Sequence, residues 1–282
     1  MISFSPVSEG LEETGEPATR DTMAIQIIRD QAGARVIDGE ILLSRVLRRP
    51  GPTGTLFDTL AASAACLSDG SPIAVLGFGA GGVVAPLRAM GCDCRITGVD
   101  LWADGEVLFR ELSGSWSGPV DFSASEACQW LRRRRGRYGL VIEDLSEPRP
   151  RLGACKPWAS FDELPRLISK KLRPDGAAIF NLLPWPDASW PAILTMVSRP
   201  WPEARVIEFE DYENRLLLAA NRLETATGLS RKIKEPVEGN RPEQAAQRPW
   251  FLHNTAQCAR VSSLRLAMVI LPTTRSTSPS PS

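Results

Sequence analysis

The sequence predicts an α/β fold: a doubly wound, mostly parallel sheet, preceded by a small β unit and closed by an antiparallel hairpin. Three observations carry that expectation. Short apolar runs alternate with helical-period segments between Pro72 and Asn221, as strands buried on both faces require. The first of those runs leads into a glycine-rich turn, Gly77-Phe78-Gly79-Ala80-Gly81-Gly82, which opens a helical segment. Two late runs, Arg205 to Phe209 and Arg215 to Ala220, flank a polar turn, the pattern of a hairpin.

The elements follow in chain order. Ala24 to Ile28, Ala34 to Ile37 and Glu40 to Leu43 read as short strands separated by Asp30-Gln31-Ala32-Gly33 and Asp38-Gly39. A loop rich in Pro and Gly spans Arg49 to Gly54, and Leu56, Leu60, Ala64 and Leu67 then recur at helical spacing. Ile73 to Leu76 is a strand bounded by Pro72 and Gly77, and Val83 to Met90 a helix stopped by Gly91. Arg95 to Val99 and Tyr138 to Ile142 are further strands, with a helix over Glu126 to Arg134 between them. Phe161 to Leu172 reads as a helix whose start, Ser160-x-x-Glu163, matches a capping box. Ala177 to Leu183 is the last parallel strand.

Composition narrows the classes. Lys plus Arg and Asp plus Glu both number 33, so total charge points to neither nucleic acid nor an anionic membrane. Arg132 to Arg135 with Arg137 reads as a solvated helix end, where cations complement the helix dipole. No apolar run approaches the roughly 20 residues needed to cross a bilayer. Six cysteines without a dense framework suit a reduced, cytoplasmic setting. The Cys92-x-Cys94 pair has no second pair at zinc spacing, and His253 is far away in a polar segment, so no metal is expected.

Chemistry concentrates around the glycine turn. Glycines there let the backbone approach a ligand closely, and the following helix turns N–H groups toward electron-rich atoms. Asp100 ends the next strand, 23 residues beyond Gly77, where a carboxylate can accept both hydroxyls of a ribose. An adenosine-containing cofactor is therefore expected on Gly77, Gly79, Gly81, Gly82 and Asp100. These elements alone allow a nicotinamide dinucleotide as readily as an adenosyl sulfonium. Glu126-Ala127, opening a helix, and Glu143-Asp144-Leu145-Ser146-Glu147-Pro148, at a strand's carboxyl end, tilt the choice toward the sulfonium, as does the lack of a Tyr-x-x-x-Lys pair.

Strand, G-x-G-x-G-G, strand, Asp100, then Glu126-Ala127 before Trp130-Leu131, then Tyr138 through Pro148, resembles the spermidine synthase family within the class I methyltransferase fold. The resemblance covers Ala24 to Asn221. It implies a Rossmann-like domain, S-adenosylmethionine or decarboxylated S-adenosylmethionine as cofactor, Glu126 and Ala127 near the adenine, and a catalytic segment from Asp144 to Pro148. Asp144 would orient an amine and accept its proton, with Glu147 holding a cationic end of the acceptor. The alternative for Asp144 is a cap on the following turn. The chain departs from the family at Ala80, where the glycine turn has Asp, and at Leu56-Phe57-Asp58, where the family has Tyr-His-Glu.

The resulting domain organisation is a disordered leader at 1–22, a small β unit at 23–50, a nucleoside-binding α/β domain at 51–222, and a largely disordered tail at 223–282. The expected activity is transfer of an aminopropyl or methyl group to a small-molecule amine such as a polyamine, with no nucleic-acid or membrane partner; a homodimer is compatible with it. Two alternatives stay open: a catalytically degenerate nucleoside-binding or oligomerisation module of the same fold, and an NAD-dependent oxidoreductase.

Overall fold

Three short strands, β1 (Gln26–Arg29), β2 (Gly33–Asp38) and β3 (Ile41–Leu47), make an antiparallel sheet in that order. They open the computed structural model, which describes residues 25–39, 41–149, 153–209, 212–239 and 267–270. The expected leader at 1–22 lies outside the described residues.

The main domain then runs α1 (Leu56–Leu67), β4 (Ile73–Leu76), α2 (Val84–Ala89), β5 (Ile96–Asp100), α3 (Ala103–Ser113), β6 (Val120–Ala124), α4 (Ala127–Arg133) and β7 (Tyr138–Glu143). A two-stranded hairpin, β8 (Glu147–Arg149) and β9 (Gly153–Cys155), follows. The domain ends with α5 (Glu163–Lys171), β10 (Leu172–Leu182), α6 (Trp190–Ser198), β11 (Glu203–Glu208), β12 (Arg215–Ala220), α7 (Ala226–Gly239) and β13 (Ala267–Ile270). The eight-stranded sheet has the order β13-β11-β12-β10-β7-β4-β5-β6. The neighbours from β6 to β10 pair in parallel, while β12 pairs antiparallel with both β10 and β11.

The sheet carries a core on each face because strand side chains alternate. Ile73 and Val75 of β4, with Leu140 and Ile142 of β7, join the core under α1, α2, α3 and α7. Ala74 and Leu76, with Val141, face the opposite core under α4, α5 and α6. Burial on both faces is why these strands read as unbroken apolar runs. Small residues on α1, with Ala61, Ala62 and Ala64 almost wholly buried, let that helix lie close to the sheet. Its first turn is capped by Thr55, whose side chain accepts the N–H of Phe57 at 3.3 Å.

Several elements differ from expectation. Helices α3 and α6, strand β6 and the β8–β9 hairpin go unread in the sequence. The largely disordered tail expected from residue 223 is corrected for 226–239, which form α7. There Leu229 is 1% exposed and Ile233 is fully buried in the core that α1 also joins. The fading apolar pattern hid α7 because two side chains four residues apart suffice to dock a short helix on a surface already built. The capping box at Ser160 is also corrected. Helix α5 begins at Glu163 with Asp162 as its N-cap and no side-chain capping bond, because Ser160, fully buried, donates to Glu143 instead at 2.9 Å.

Candidate functional site

The strand order reverses between β4 and β7, and in open α/β sheets ligands bind outside the strand ends at such a point. The glycine turn after β4, Asp100 at the end of β5 and Asp144 just after β7 converge there. Asp144 is tied to β4 directly, its N–H donating to the carbonyl of Leu76 at 2.7 Å.

The glycines divide by what requires them. Gly77 has φ +82°, and a Cβ there would lie 2.4 Å from the carbonyl oxygen of Asp144, so this glycine lets β4's turn pass against the segment holding the acid. Gly79 has φ +53° with nothing nearer than 3.7 Å to a Cβ, and its N–H donates to Asp100 Oδ2 at 2.6 Å. Gly81 and Gly82 are required by packing: an added Cβ would meet Phe109 at 2.6 Å in one case and Phe57 at 2.9 Å in the other. The sequence placed all four beside a cofactor; the structure sets the last two against protein side chains.

The acids divide likewise. Asp100 accepts from Gly79 through one oxygen and from the N–H of Trp102 through the other, at 2.9 Å. Leu101, beside it, is 75% exposed, an apolar surface next to a ribose-sized acceptor that sequence reading missed; the signal was an apolar residue directly after a strand-end acid. Glu126 caps α4, accepting from Cys128 N–H at 2.8 Å and Gln129 N–H at 2.7 Å. Ala127 is buried under that cap.

Asp144 faces a cavity of about 520 Å³. Its walls come from the start of β3 (Ile41 to Leu43), the start of α1 (Thr55 to Phe57), the β9 end (Ala154, Cys155), the segment after β10 (Leu183 to Pro186) and the β11–β12 turn (Tyr212 to Asn214). Among the described residues no Lys or Arg lines it, whereas Asp144 and Glu213 do. Asn181 Nδ2 donates to Asp144 Oδ1 at 2.7 Å, and Asn214 Nδ2 donates to Asn181 Oδ1 at 2.9 Å, so a chain of amides aims the carboxyl. Burial pushes the Asp144 carboxyl up to about 6, against the lowering effects of Lys156 and the Asn181 hydrogen bond. Glu147, expected to hold the acceptor, is exposed at the start of β8 and is not a lining residue. Glu213, which sequence reading passed over in a polar turn, lines the cavity with Asp144. Trp185 also lines it and packs edge-on against Phe161 at 5.5 Å and Trp158 at 5.7 Å.

Among the described residues, no group of three or more His, Cys, Asp or Glu side chains is placed to hold a metal ion, and no helix is long and apolar enough to cross a membrane. The basic run at the end of α4 is used locally: Arg132 pairs with Glu163, and Arg134 lies 4.9 Å from the ring centre of Trp130.

No protein-family model and no curated protein sequence matches the chain. Solved structures do match in fold. A probable spermidine synthase from Corynebacterium glutamicum ATCC 13032 superposes with TM-score 0.59 at 17% identity, covering 81% of this chain and 87% of that one. A spermidine synthase in complex with the transition state analogue AdoDATO gives 0.56 at 14% identity, over 86% and 81% of the two chains. Human methyltransferase-like protein 13 in complex with SAH gives 0.54 at 19% identity, over 69% and 94%. The fold is therefore a methyltransferase-like Rossmann fold, similar to those of the spermidine synthases and methyltransferases above, with a small N-terminal sheet and antiparallel closing strands.

Proposed function

We propose that this chain is a transferase that moves an aminopropyl or methyl group from S-adenosylmethionine, or its decarboxylated form, to an amine. The observation that carries this reading is Asp144: a half-buried carboxylate at the switch point, aimed by Asn181 into a cavity that holds a second carboxylate and, among the described residues, no lysine or arginine.

The residues for the donor fit a nucleoside at Gly79, Asp100 and Leu101. Gly79 holds the turn at positive φ against Asp100, Asp100 has lone pairs beyond the two it gives the backbone, and Leu101 offers an exposed apolar face. The likeness to folds solved with SAH and AdoDATO supports the same reading. Bound there, a sulfonium supplies an already activated carbon, so the protein's part is placement and a deprotonated nucleophile.

Asp144 does the second of these. An amine is protonated at neutral pH and must lose that proton before it can attack. With its carboxyl raised to about 6, Asp144 is mostly ionised above that pH and more basic than an ordinary aspartate. Glu213 supplies a second negative charge for a cationic acceptor, and Trp185 and Tyr212 supply aromatic walls suited to an alkylammonium.

The degenerate-module reading keeps support from two carboxylates spent on their own backbone. Glu126 is engaged by α4, and Asp58 accepts from Thr53 N–H, Thr53 Oγ1 and Gly54 N–H at 2.7, 2.7 and 2.8 Å. Calorimetric titration with S-adenosylmethionine, methylthioadenosine and NAD, followed by a turnover assay on amines, separates the two. Nucleoside binding with turnover lost in D144N supports the transferase; nucleoside binding without turnover on any amine supports the module.

A further inference from the structure

Next to the carboxylate that faces the cavity stands one that does not. Glu143, the last residue of β7, is fully buried, and Lys156 is 1% exposed. Glu143 Oε1 accepts from Lys156 Nζ at 2.8 Å, Ser160 Oγ at 2.9 Å and the N–H of Leu145 at 3.1 Å. Lys156 Nζ also donates to the carbonyl of Leu145 at 2.6 Å. Residues 143 and 145 are thus held by one ammonium, and residue 144 between them is pinned to β4 through Leu76.

Lys156 directly follows Cys155, which walls the cavity with Ala154. One cation therefore joins the β8–β9 hairpin to the strand end that carries Asp144. As a stabilising device the pair is poor. Two charges taken out of water recover their desolvation cost only with full hydrogen bonding, and apolar residues of like volume often do as well. Here Glu143 Oε2 is buried with no hydrogen-bond partner.

We propose that Lys156 is a positioning residue for Asp144: it fixes the backbone on both sides of that acid and sets its proton affinity through an adjacent positive charge. Among the described residues, the other charged groups that act on Asp144 are acidic. Glu143 comes from β7 and Asp100 from the end of β5, both opposing its ionisation. Glu213, from the β11–β12 turn, lines the same cavity. Lys156 is the charge that offsets them, alongside the Asn181 hydrogen bond, and its effect on Asp144 exceeds that of Glu143. Only the kinetic arm of the test rests on the transferase reading.

The test is a carboxyl-carbon NMR titration of Asp144, its signal assigned by its loss in D144N. Lys156→Met should raise the Asp144 midpoint by about one unit, the lower end of the range for an opposite charge nearby. Because that variant leaves Glu143 buried and unpaired, the double variant Glu143→Gln/Lys156→Met keeps the experiment decisive in a folded protein. It should show a smaller rise, since the two opposing charges go together and that of Lys156 acts more strongly on Asp144. An unchanged or lowered midpoint in the folded double variant overturns the proposal. In turnover, the acidic limb of kcat/KM should move to higher pH with the NMR midpoint. A uniform loss at every pH with the limb unmoved would mean that the pair is merely structural and would overturn the proposal. If the wild-type protein transfers nothing, the transferase reading fails while the NMR titration still decides the role of Lys156.

Discussion

The two halves of the strand-end crevice use carboxylates in opposite ways. On the β4–β5 side, Asp100 and Glu126 are engaged by backbone N–H groups: the first braces the glycine turn and the second caps α4. On the β7–β10 side, Asp144 is aimed by side-chain amides into an open cavity, and Glu213 joins it there. A carboxylate that satisfies local N–H donors mainly builds structure, whereas one held from the side and turned to a cavity is available for chemistry. The halves meet at Gly77, whose missing Cβ lets the first press against the backbone of Asp144.

The comparison can be broken most forcefully at Asp144. Asp144→Asn should lower kcat for amine transfer by roughly 10²- to 10⁴-fold, the usual worth of a general base, while the nucleoside dissociation constant changes less than about threefold. Surviving turnover would remove Asp144 from the chemistry. Gly77→Ala should follow in size. The positive φ and the close Asp144 carbonyl together predict about 2–4 kcal/mol of destabilisation, measured by denaturant unfolding, with transfer impaired in whatever protein folds.

Removing bulk under α7 tests the part of the fold hidden in the supposed tail. Ile233→Ala should cost about 2–4 kcal/mol, the range for emptying a buried aliphatic site, against almost nothing if that helix were dispensable.

The pH dependence sharpens the contrast because stability and activity should move oppositely. Asp144 has a folded value of about 6, above its ordinary 3.8. Between those values the folded protein binds the extra proton, so this group's contribution to stability falls as pH rises from about 4 to about 6. Activity, which needs the ionised form, should rise toward that value and level off about one unit above it. Asp144→Asn should remove that slope and leave the protein about 1–3 kcal/mol more stable at pH 8, as a chemical-denaturation series across pH would record.

The smallest effect belongs to Glu126. Glu126→Ala should cost about 1 kcal/mol through the lost cap, with little change in nucleoside affinity. A tenfold or larger loss of affinity in a stably folded variant would restore this acid as a reader of the base and weaken the contrast between the halves.

Much of the fold was legible because its signals are local. The β4 run, bounded by Pro72 and Gly77, and the helical spacing of Leu56, Leu60, Ala64 and Leu67 are written in neighbouring residues, and both elements have the limits read for them. Helix α3 was missed although Leu108, Phe109 and Leu112 mark its buried face, because charged neighbours dilute that stripe. Helix α6 was missed because tryptophan and proline at its start, Trp190-Pro191, read as loop, yet proline suits a helix's first turn.

The sequence alone settled the strand-and-helix alternation, the glycine turn and the placing of Asp100 and Asp144 at strand ends. Burial periodicity and turn chemistry act over a few residues. Only the tertiary structure decided which acids remain available for chemistry, that Gly81 and Gly82 answer to phenylalanine rings, and that Glu213 rather than Glu147 shares the cavity with Asp144. Those outcomes depend on donors and walls arriving from distant segments. Ser160 and Lys156 meet Glu143 from beyond the hairpin, Asn181 meets Asp144 from β10, and Asn214 meets Asn181 from the β11–β12 turn; spacing along the chain carries no record of such encounters.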